Sequence, residues 1–402
     1  MKKESASLTM SPTFVSSGNP LEAQVKQRIT ADGGWTSFDD FMALALYAPG
    51  LGYYSNASRQ FGAFPQSGSD FVTAPELTPL FGHTLAAQVA QALRDTGTHE
   101  IWEFGAGTGA LALQLLEALD LMAVGTAPLT QRPPCRYTIV DLSGSLRARQ
   151  QQTLAAFGDR VRWVSALPAQ MQGVIVGNEV LDAMPVKLLA RQSGQWFERG
   201  VAVHEDALQW ADRSTDERPP MAIEGNEGDP TRQNPRPHDY VTEIHPQAEA
   251  FIRTLADRLT CGAAFFIDYG FPEREYYHPQ RHMGTLMCHQ AHQAGGHPLR
   301  DVGRKDITAH VNFTGIALAA QDAGFDVLGY CSQARFLMNC GLLSKMEHAT
   351  LADKAAAQKL ILEHEMGELF KVIALGKPLR PDGQRADWVP IGFTAGDRTH
   401  TL

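Results

Sequence analysis

The stretch IWEFGAGTG, residues 101–109, ends a short apolar run in three glycines at alternate positions, Gly105, Gly107 and Gly109. A simple turn needs one such residue. Three mark a backbone approached so closely that no Cβ fits. The helical run ALALQLLEALDLM follows at once, so the stretch reads as strand, glycine turn and helix. Outward from it the same rhythm continues. Short β-rich runs at 136–140, 161–164, 174–176 and 263–267 are divided by amphipathic stretches such as LRARQQQTLAAF and HPQAEAFIRTLADRL. FDVLGYCSQ and FKVIALGK add two strands near the C-terminus. Continuous apolar strands separated by helices predict an α/β fold whose parallel sheet is covered on both faces.

The 402 residues are 44% hydrophobic and 20% charged, as in an ordinary globular chain. Residues 1–18 are polar and expected to fray. Residues 19–93 read as a mostly helical cap region, with Ser37 as N-cap before FDDFMALALY and Asp40 three residues on. The main domain then spans 94–376, and 377–402 form a tail. Two regions interrupt the main domain. Residues 187–260 join the hairpin alternation of VKLLARQSGQWFERGVAVHEDALQWADR to the polar, Pro-rich STDERPPMAIEGNEGDPTRQNPRPHDY. A connection this long suggests a substrate or partner element. The other interruption is a His-rich loop at 270–313.

GAGTGA fits two ligand templates. Gly105, Gly107 and Ala110 match the dinucleotide turn, while Gly105, Gly107 and Gly109 match the tighter turn that holds S-adenosylmethionine. Alone, the pattern also suits a turn with no ligand. A nicotinamide site asks for an acid about 20 residues on, where this chain offers only VGTAPLT. Asp141 stands instead at the tip of the next strand, in YTIVD, placed to accept the ribose hydroxyls of either ligand. Glu103 tips the balance. A carboxylate just before the turn repels a pyrophosphate but attracts a sulfonium and an α-ammonium, although it could serve as a plain ion-pair partner. S-Adenosylmethionine is therefore the expected cofactor, with Ser165 and Ala166 as adenine neighbours, and an NAD-dependent oxidoreductase is the alternative. Trp102, Phe104, Tyr137 and Trp163 read as sheet core.

GVIVGNEVLDAMPV is the second informative stretch. Asn178 and Glu179 stand at the carboxyl end of the fourth strand, the edge where open α/β sheets hold ligands. Asp182 would share the face of Glu179 if the segment turns helical. Two carboxylates and an amide beside a methyl donor suit a guanidinium, which is planar, cationic and forked. Carboxylates can grip that fork, draw its charge to one side and leave the far nitrogen nucleophilic. Glu179 and Asp182 are thus expected to orient the acceptor, with Asn178 at the donor's amino-acid end. A plain helix cap is the competing reading of Asn178 and Glu179.

His278, His282, His289, His292, His297 and His310 crowd one region, and CHQAH has zinc-like spacing. No fourth partner completes a motif, so no metal is expected; the loop's histidines are expected to bind substrate or to face solvent. A net charge of −9 without a basic, aromatic-interleaved run argues against nucleic acid. No apolar stretch is long enough to cross a bilayer. Five scattered cysteines and an N-terminus without an apolar core point to a reducing cytoplasm.

From about residue 20 to 376 the sequence resembles the MidA (DUF185) family of class I methyltransferases, through LALYAPGLGYYS, DFVTAPELTPLFG, EFGAGTGALA, GNEVLDAMPV, FIDYG, GTLMCHQAH, DITAHVNFT and MGELFKVIALG. The resemblance implies a Rossmann-like, seven-stranded sheet with an antiparallel last strand. It implies cofactor contacts at Glu103, Gly105, Gly107, Gly109 and Asp141. The family includes a mitochondrial protein arginine methyltransferase that assists assembly of respiratory complex I, which implies a protein substrate, an arginine on a complex I subunit. Asn312 stands where the family commonly has Asp, and MCHQAH where a more basic version is usual. Either departure bears on acceptor specificity if it lines the acceptor site. An assembly protein that keeps the fold and cofactor pocket with little catalysis is the second functional class.

Overall fold

Among the described residues seven strands form the main path of the central sheet: β1 Glu100–Phe104, β2 Arg136–Val140, β3 Val161–Val164, β4 Met171–Asn178, β5 Leu259–Phe271, β6 Asp326–Ser332 and β7 Phe370–Lys377. They appear in a computed structural model that describes residues 19–56, 73–124, 135–141, 143–221, 239–290, 293–295, 297–386 and 388–402. Their order is β3-β2-β1-β4-β5-β7-β6. Strands β1 to β5 pair in parallel, and β7 runs antiparallel to both β5 and β6. A two-residue strand, Val311–Asn312, extends the sheet beside the end of β5 and is too short to show any period in the sequence. The chain winds outward from β1 to β3, then returns to the other side of β1 at β4. That reversal opens a crevice at the carboxyl ends of β1 and β4.

Strand alternation feeds two cores. Val174, Val176, Phe265, Ile267, Val372 and Ala374 face one core, shared with helices Leu80–Thr96 and Ala110–Val124. Ile175, Ala264, Phe266, Ile373 and Leu375 face the other, under helices Pro246–Arg258 and Phe313–Asp322. Because both faces are covered, these strands read as unbroken apolar runs.

A second, antiparallel sheet takes Trp35–Ser37, Gln195–His204, Lys187–Gln192 and Tyr240–Ile244 in that order, with Ala207–Ser214 also on Gln195–His204. Its two hairpins turn at Ser193–Gly194 and Glu205–Asp206, all four residues with positive φ, as two-residue hairpin turns of matching twist require. Helices Pro20–Ala31 and Phe38–Tyr47 pack on this sheet through Leu21, Val25, Phe38 and Phe41 against Leu188 and Val201. Ser37 does N-cap the second helix, but without a side-chain hydrogen bond. It also ends a strand in a segment expected to be mostly helical. Gly200 makes that pairing possible, since a Cβ there would lie 2.4 Å from the Trp35 ring.

The 270–313 region is more ordered than a loop. Met287–Gln290 pairs with Gln293–Ala294 and with Asp306–Thr308. His292, residues 1–18 and residues 222–238 of the Pro-rich excursion lie outside the described residues.

Candidate active site

A cavity of about 580 Å³ occupies the crevice. Glu103, Gly105, Gly107, Asp141, Asn178, Glu179 and Asp182 all line it. Gly109 does not. Its φ of +86° lets the chain turn, and a Cβ there would meet Gln150 at 3.5 Å, so it serves the approach of helix Gly144–Thr153. Ser165 and Ala166 are exposed and lie outside the lining, because β3 is the edge strand, two places from β1.

At the donor end, Gly105 and Gly107 have φ of +65° and +51°, and a Cβ on Gly105 would press on Val180 at 2.8 Å. Asp141 is oriented on both oxygens: Ser143 N–H and Gln150 Nε2 each donate to it at 2.7 Å. Gln150 Nε2 also reaches the Gly107 carbonyl at 3.0 Å, tying the carboxylate to the glycine turn. Glu103 is buried, and the Tyr137 hydroxyl donates to it at 2.8 Å. Burial pushes its carboxyl up to about 8, with Tyr137 opposing and Asp141 adding to the rise. The charge inferred from sequence is therefore conditional: Glu103 ionises at neutral pH when a cation sits beside it. Thr108 donates to Glu76 of helix Ala74–Leu77 at the same end, a contact the sequence reading missed.

The second wall is the turn after β4. It is not helical, yet its carboxylates still converge, because Asp268 at the end of β5 collects its amides. Asp268 Oδ2 accepts the N–H groups of Val180, Leu181 and Asp182 at 3.1, 2.9 and 3.3 Å. Glu179 N–H donates to the Ile267 carbonyl at 2.9 Å, and Glu179 takes a φ of +54°, a strained conformation for a residue with a side chain. Asn178 Nδ2 donates to Glu179 at 3.0 Å. Burial, then the neighbouring Asp182, pushes Glu179 up to about 8. Burial also lifts Asp182 to about 6, against a hydrogen bond from the Tyr269 side chain. Asp268 is pushed upward too, by burial and by both neighbours, against the amides that favour its charge.

Tyr47, Tyr54, Tyr269, His289, Asp306 and His310 also line this wall; of these only His289 and His310 were singled out in the sequence, as members of the His-rich loop. His310 stacks flat on Phe271 at 5.3 Å and meets Tyr269 edge-on at 4.9 Å. Burial, with Arg281 nearby, lowers it to about 4, so it is neutral at physiological pH. His278, His282 and His297 are exposed and away from the cavity. Among the described residues no group of three or more His, Cys, Asp or Glu could hold a metal ion. The described lining contains six carboxylates, Glu76, Glu103, Asp141, Glu179, Asp182 and Asp306, and neither Lys nor Arg.

The donor end fits S-adenosylmethionine on its own chemistry. Asn178 Oδ1 is buried with no hydrogen-bond partner, an acceptor awaiting a cationic N–H. Glu103 offers a second, Asp141 is set for ribose hydroxyls, and the two glycines let the backbone come close. This arrangement at a topological switch point defines a methyltransferase that uses S-adenosylmethionine. The chain belongs to the family described as S-adenosyl-L-methionine-dependent methyltransferase, which it matches over residues 84–331.

A crystallised Burkholderia thailandensis protein bound to S-adenosyl-homocysteine is 47% identical, with a TM-score of 0.86 over 99% of this chain and 100% of that one. That bound product in so similar a neighbour, together with the family match, removes the nicotinamide alternative. Two curated relatives are the Caenorhabditis elegans protein arginine methyltransferase NDUFAF7 homolog, mitochondrial, and the Mus musculus protein arginine methyltransferase NDUFAF7, mitochondrial. The first is 26% identical over 95% of this chain and 92% of its own. The second is 27% identical over 89% and 84%. Their names place those relatives in mitochondria and lend no support to a cytoplasmic residence. No helix among the described residues is long and apolar enough to cross a membrane.

Proposed function

We propose that this methyltransferase modifies an arginine of a protein, on a subunit of respiratory complex I. The observation that carries the acceptor class is the cavity lining, six carboxylates without a Lys or Arg among the described residues. Such a wall repels anions and holds a cation taken out of water. The relatives named arginine methyltransferases support the choice of guanidinium.

When bound, S-adenosylmethionine supplies an electrophilic methyl group on a sulfonium. The chain's own residues do the rest. Glu103, Asn178 and Asp141 hold the donor at its charged and ribose ends. Glu179 and Asp182 grip the guanidinium fork, localise its positive charge and present the remaining nitrogen, and positioning of this kind supplies most of the rate. One of this pair also accepts the proton that the alkylated nitrogen must lose, a task suited to carboxyls raised to about 6 and about 8. The 187–260 region and the N-terminal helices are proposed to cover the cleft and read the partner surface, which the presence of Tyr47 and Tyr54 in the lining supports. The unpaired thiols favour a reducing compartment, the cytoplasm in our reading.

Single-turnover transfer of a labelled methyl group to purified complex I subunits tests this, with the modified residue located by mass spectrometry. Label on arginine, lost in Glu179→Gln, is the expected result. Label on another residue type overturns the acceptor. No label, with assembly of the complex still dependent on the protein, would favour the chaperone reading.

A further inference from the structure

The motif DFVTAPELTPLFG belongs neither to the glycine turn nor to the turn after β4, yet it touches both. Thr73, Pro75 and Glu76 line the cavity, and the short helix Ala74–Leu77 is pinned there at three points. Gln114, buried in helix Ala110–Val124, donates from Nε2 to the Pro75 carbonyl at 2.7 Å and accepts the Gly82 N–H at 3.0 Å. The Ala74 N–H donates to the Glu179 carboxyl, the group that also receives Asn178 Nδ2 at 3.0 Å. The Thr108 hydroxyl, inside the glycine turn, donates to Glu76 Oε1. Ala74 thus stands one carboxylate away from Asn178, and Glu76, two residues on, stands at the glycine turn.

What Glu76 can take follows from its own free oxygen and from the donor's chemistry. Its Oε1 is held by Thr108, while its Oε2 takes no donor among the described residues, and the side chain is only half-buried. An open carboxylate oxygen serves an N–H group. The sulfonium has none, but the α-ammonium has three, and an ammonium taken out of water needs an acceptor for each. Asn178 is 8% exposed, and its Oδ1 has no hydrogen-bond partner, so it meets one of the three. Glu103 meets a second. Asp141 is turned by Ser143 and Gln150 at the end of β2, on the ribose side. Glu76 is tied instead to the ends of β1 and β4, the side of Asn178, and is the acceptor left for the third N–H.

We infer that Glu76, anchored by Thr108, binds the α-ammonium of the methyl donor together with Asn178. The inference rests on the placement of Asn178 at the donor's amino-acid end and not on the choice of acceptor.

The test titrates the full-length protein by calorimetry with three probes. S-Adenosyl-homocysteine carries both amine and carboxylate, S-adenosyl-3-thiopropylamine keeps the amine alone, and 5′-methylthioadenosine lacks both. Glutamine at position 76 still accepts the Thr108 hydroxyl but carries no charge. Glu76→Gln should therefore weaken both amine probes about tenfold and leave 5′-methylthioadenosine within about twofold of the wild type. Thr108→Val keeps the charge and loses the anchor, and should cost the amine probes about threefold. Three unchanged affinities in Glu76→Gln overturn the inference. An equal loss for all three probes also overturns it, since Glu76 then shapes the pocket or meets the adenine. Tighter binding of S-adenosyl-homocysteine overturns it too, because the donor's carboxylate would then face Glu76. If the glutamine variant does not fold, the same comparison in Thr108→Val decides. Amine probes weakened in Glu76→Gln but not in Asn178→Ala uphold the inference and defeat the placement of Asn178. The reverse pattern overturns the inference and leaves Asn178 in place.

Discussion

Glu179 sets function against stability at a single residue. Its φ of +54° puts a long side chain in a region that favours glycine, at a cost of about 1 kcal/mol or more. The carboxyl it carries is also largely desolvated, with no Lys or Arg in the described lining of the cavity. Replacing Glu179 with Gly should therefore stabilise the ligand-free protein by about 1 kcal/mol in urea unfolding while transfer disappears. Glu179→Gln keeps the shape and should lower single-turnover transfer at least about 100-fold, with S-adenosyl-homocysteine affinity nearly unchanged. A glutamine variant with wild-type rate would remove Glu179 from the acceptor. Gly105 is the complementary case. Alanine there meets both a φ of +65° and the Val180 methyl at 2.8 Å, so it should cost about 1–2 kcal/mol and weaken cofactor binding. A second change, Val180→Ala, should recover only the steric part. Glu103, Gly105 and Gly107 could be read as residues of the crevice because they form a local pattern around one turn, and Asp141 because it stands at the tip of the next strand. The residues that shape the acceptor wall could not. Asp268 reaches the turn amides across 87 positions and Tyr54 reaches Asp306 across 252, separations at which no spacing rule operates. Nor does a sequence reveal that burial turns Glu103 into a conditional anion.

At the scale of elements, the long apolar strands could be read because two-sided burial leaves no polar interruption. β1, β2, β3 and β7 begin and end where the texture changes. Trp35–Ser37 and Val311–Asn312 could not be read, since their pairing depends on partners elsewhere and not on their own period. The same holds for the link between the second sheet and the 270–313 region. Glu243, in strand Tyr240–Ile244, is fully buried and takes N–H groups from Thr285 and Leu286 at 2.8 and 2.9 Å and the Tyr276 hydroxyl at 2.9 Å. Gly284 turns beside it, where a Cβ would lie 2.4 Å from its carboxyl. Thr285 in turn receives the His310 backbone N–H at 3.0 Å, so one buried acid braces a cavity residue from behind. Glu243→Ala should destabilise by about 3 kcal/mol, the usual loss when a buried polar network is broken. Glu243→Gln retains an acceptor and should cost less. In the glutamine variant, acceptor KM should rise more than the dissociation constant for S-adenosyl-homocysteine, because the bracing touches only the acceptor wall. Equal changes in both would show that Glu243 supports the fold alone.

For the whole molecule, the buried groups predict a pH dependence of stability that changes with the ligand. Glu103 and Glu179 sit at about 8 in the folded state against an ordinary 4.5, and Asp182 at about 6 against 3.8. A carboxyl that binds its proton more tightly when folded adds stability below its ordinary value. That contribution is lost as pH rises through the folded value. Ligand-free protein should thus lose stability as pH rises from about 4.5 to about 8, and little beyond it. His245 and His310 act from the other side. Both are lowered to about 4 from 6.5 by burial, so their contribution is present above 6.5 and is lost as pH falls toward 4. The histidines therefore offset part of the carboxyl loss up to about pH 6.5, and above it the decline runs unopposed to about pH 8. Donor chemistry then separates two ligands of nearly equal size. S-Adenosylmethionine brings a sulfonium charge, and its demethylated product does not. Near Glu103 that charge replaces the missing cation, lets the carboxyl ionise and removes part of the alkaline loss. Melting temperatures taken with saturating donor and with saturating product should therefore diverge as pH rises toward about 8, the donor complex falling less. Glu103→Gln should close most of that gap, because its amide neither titrates nor answers to the sulfonium. Parallel curves for the two ligands in the wild type would mean that the acid ahead of the glycine turn does not sense the charge it was inferred to recognise.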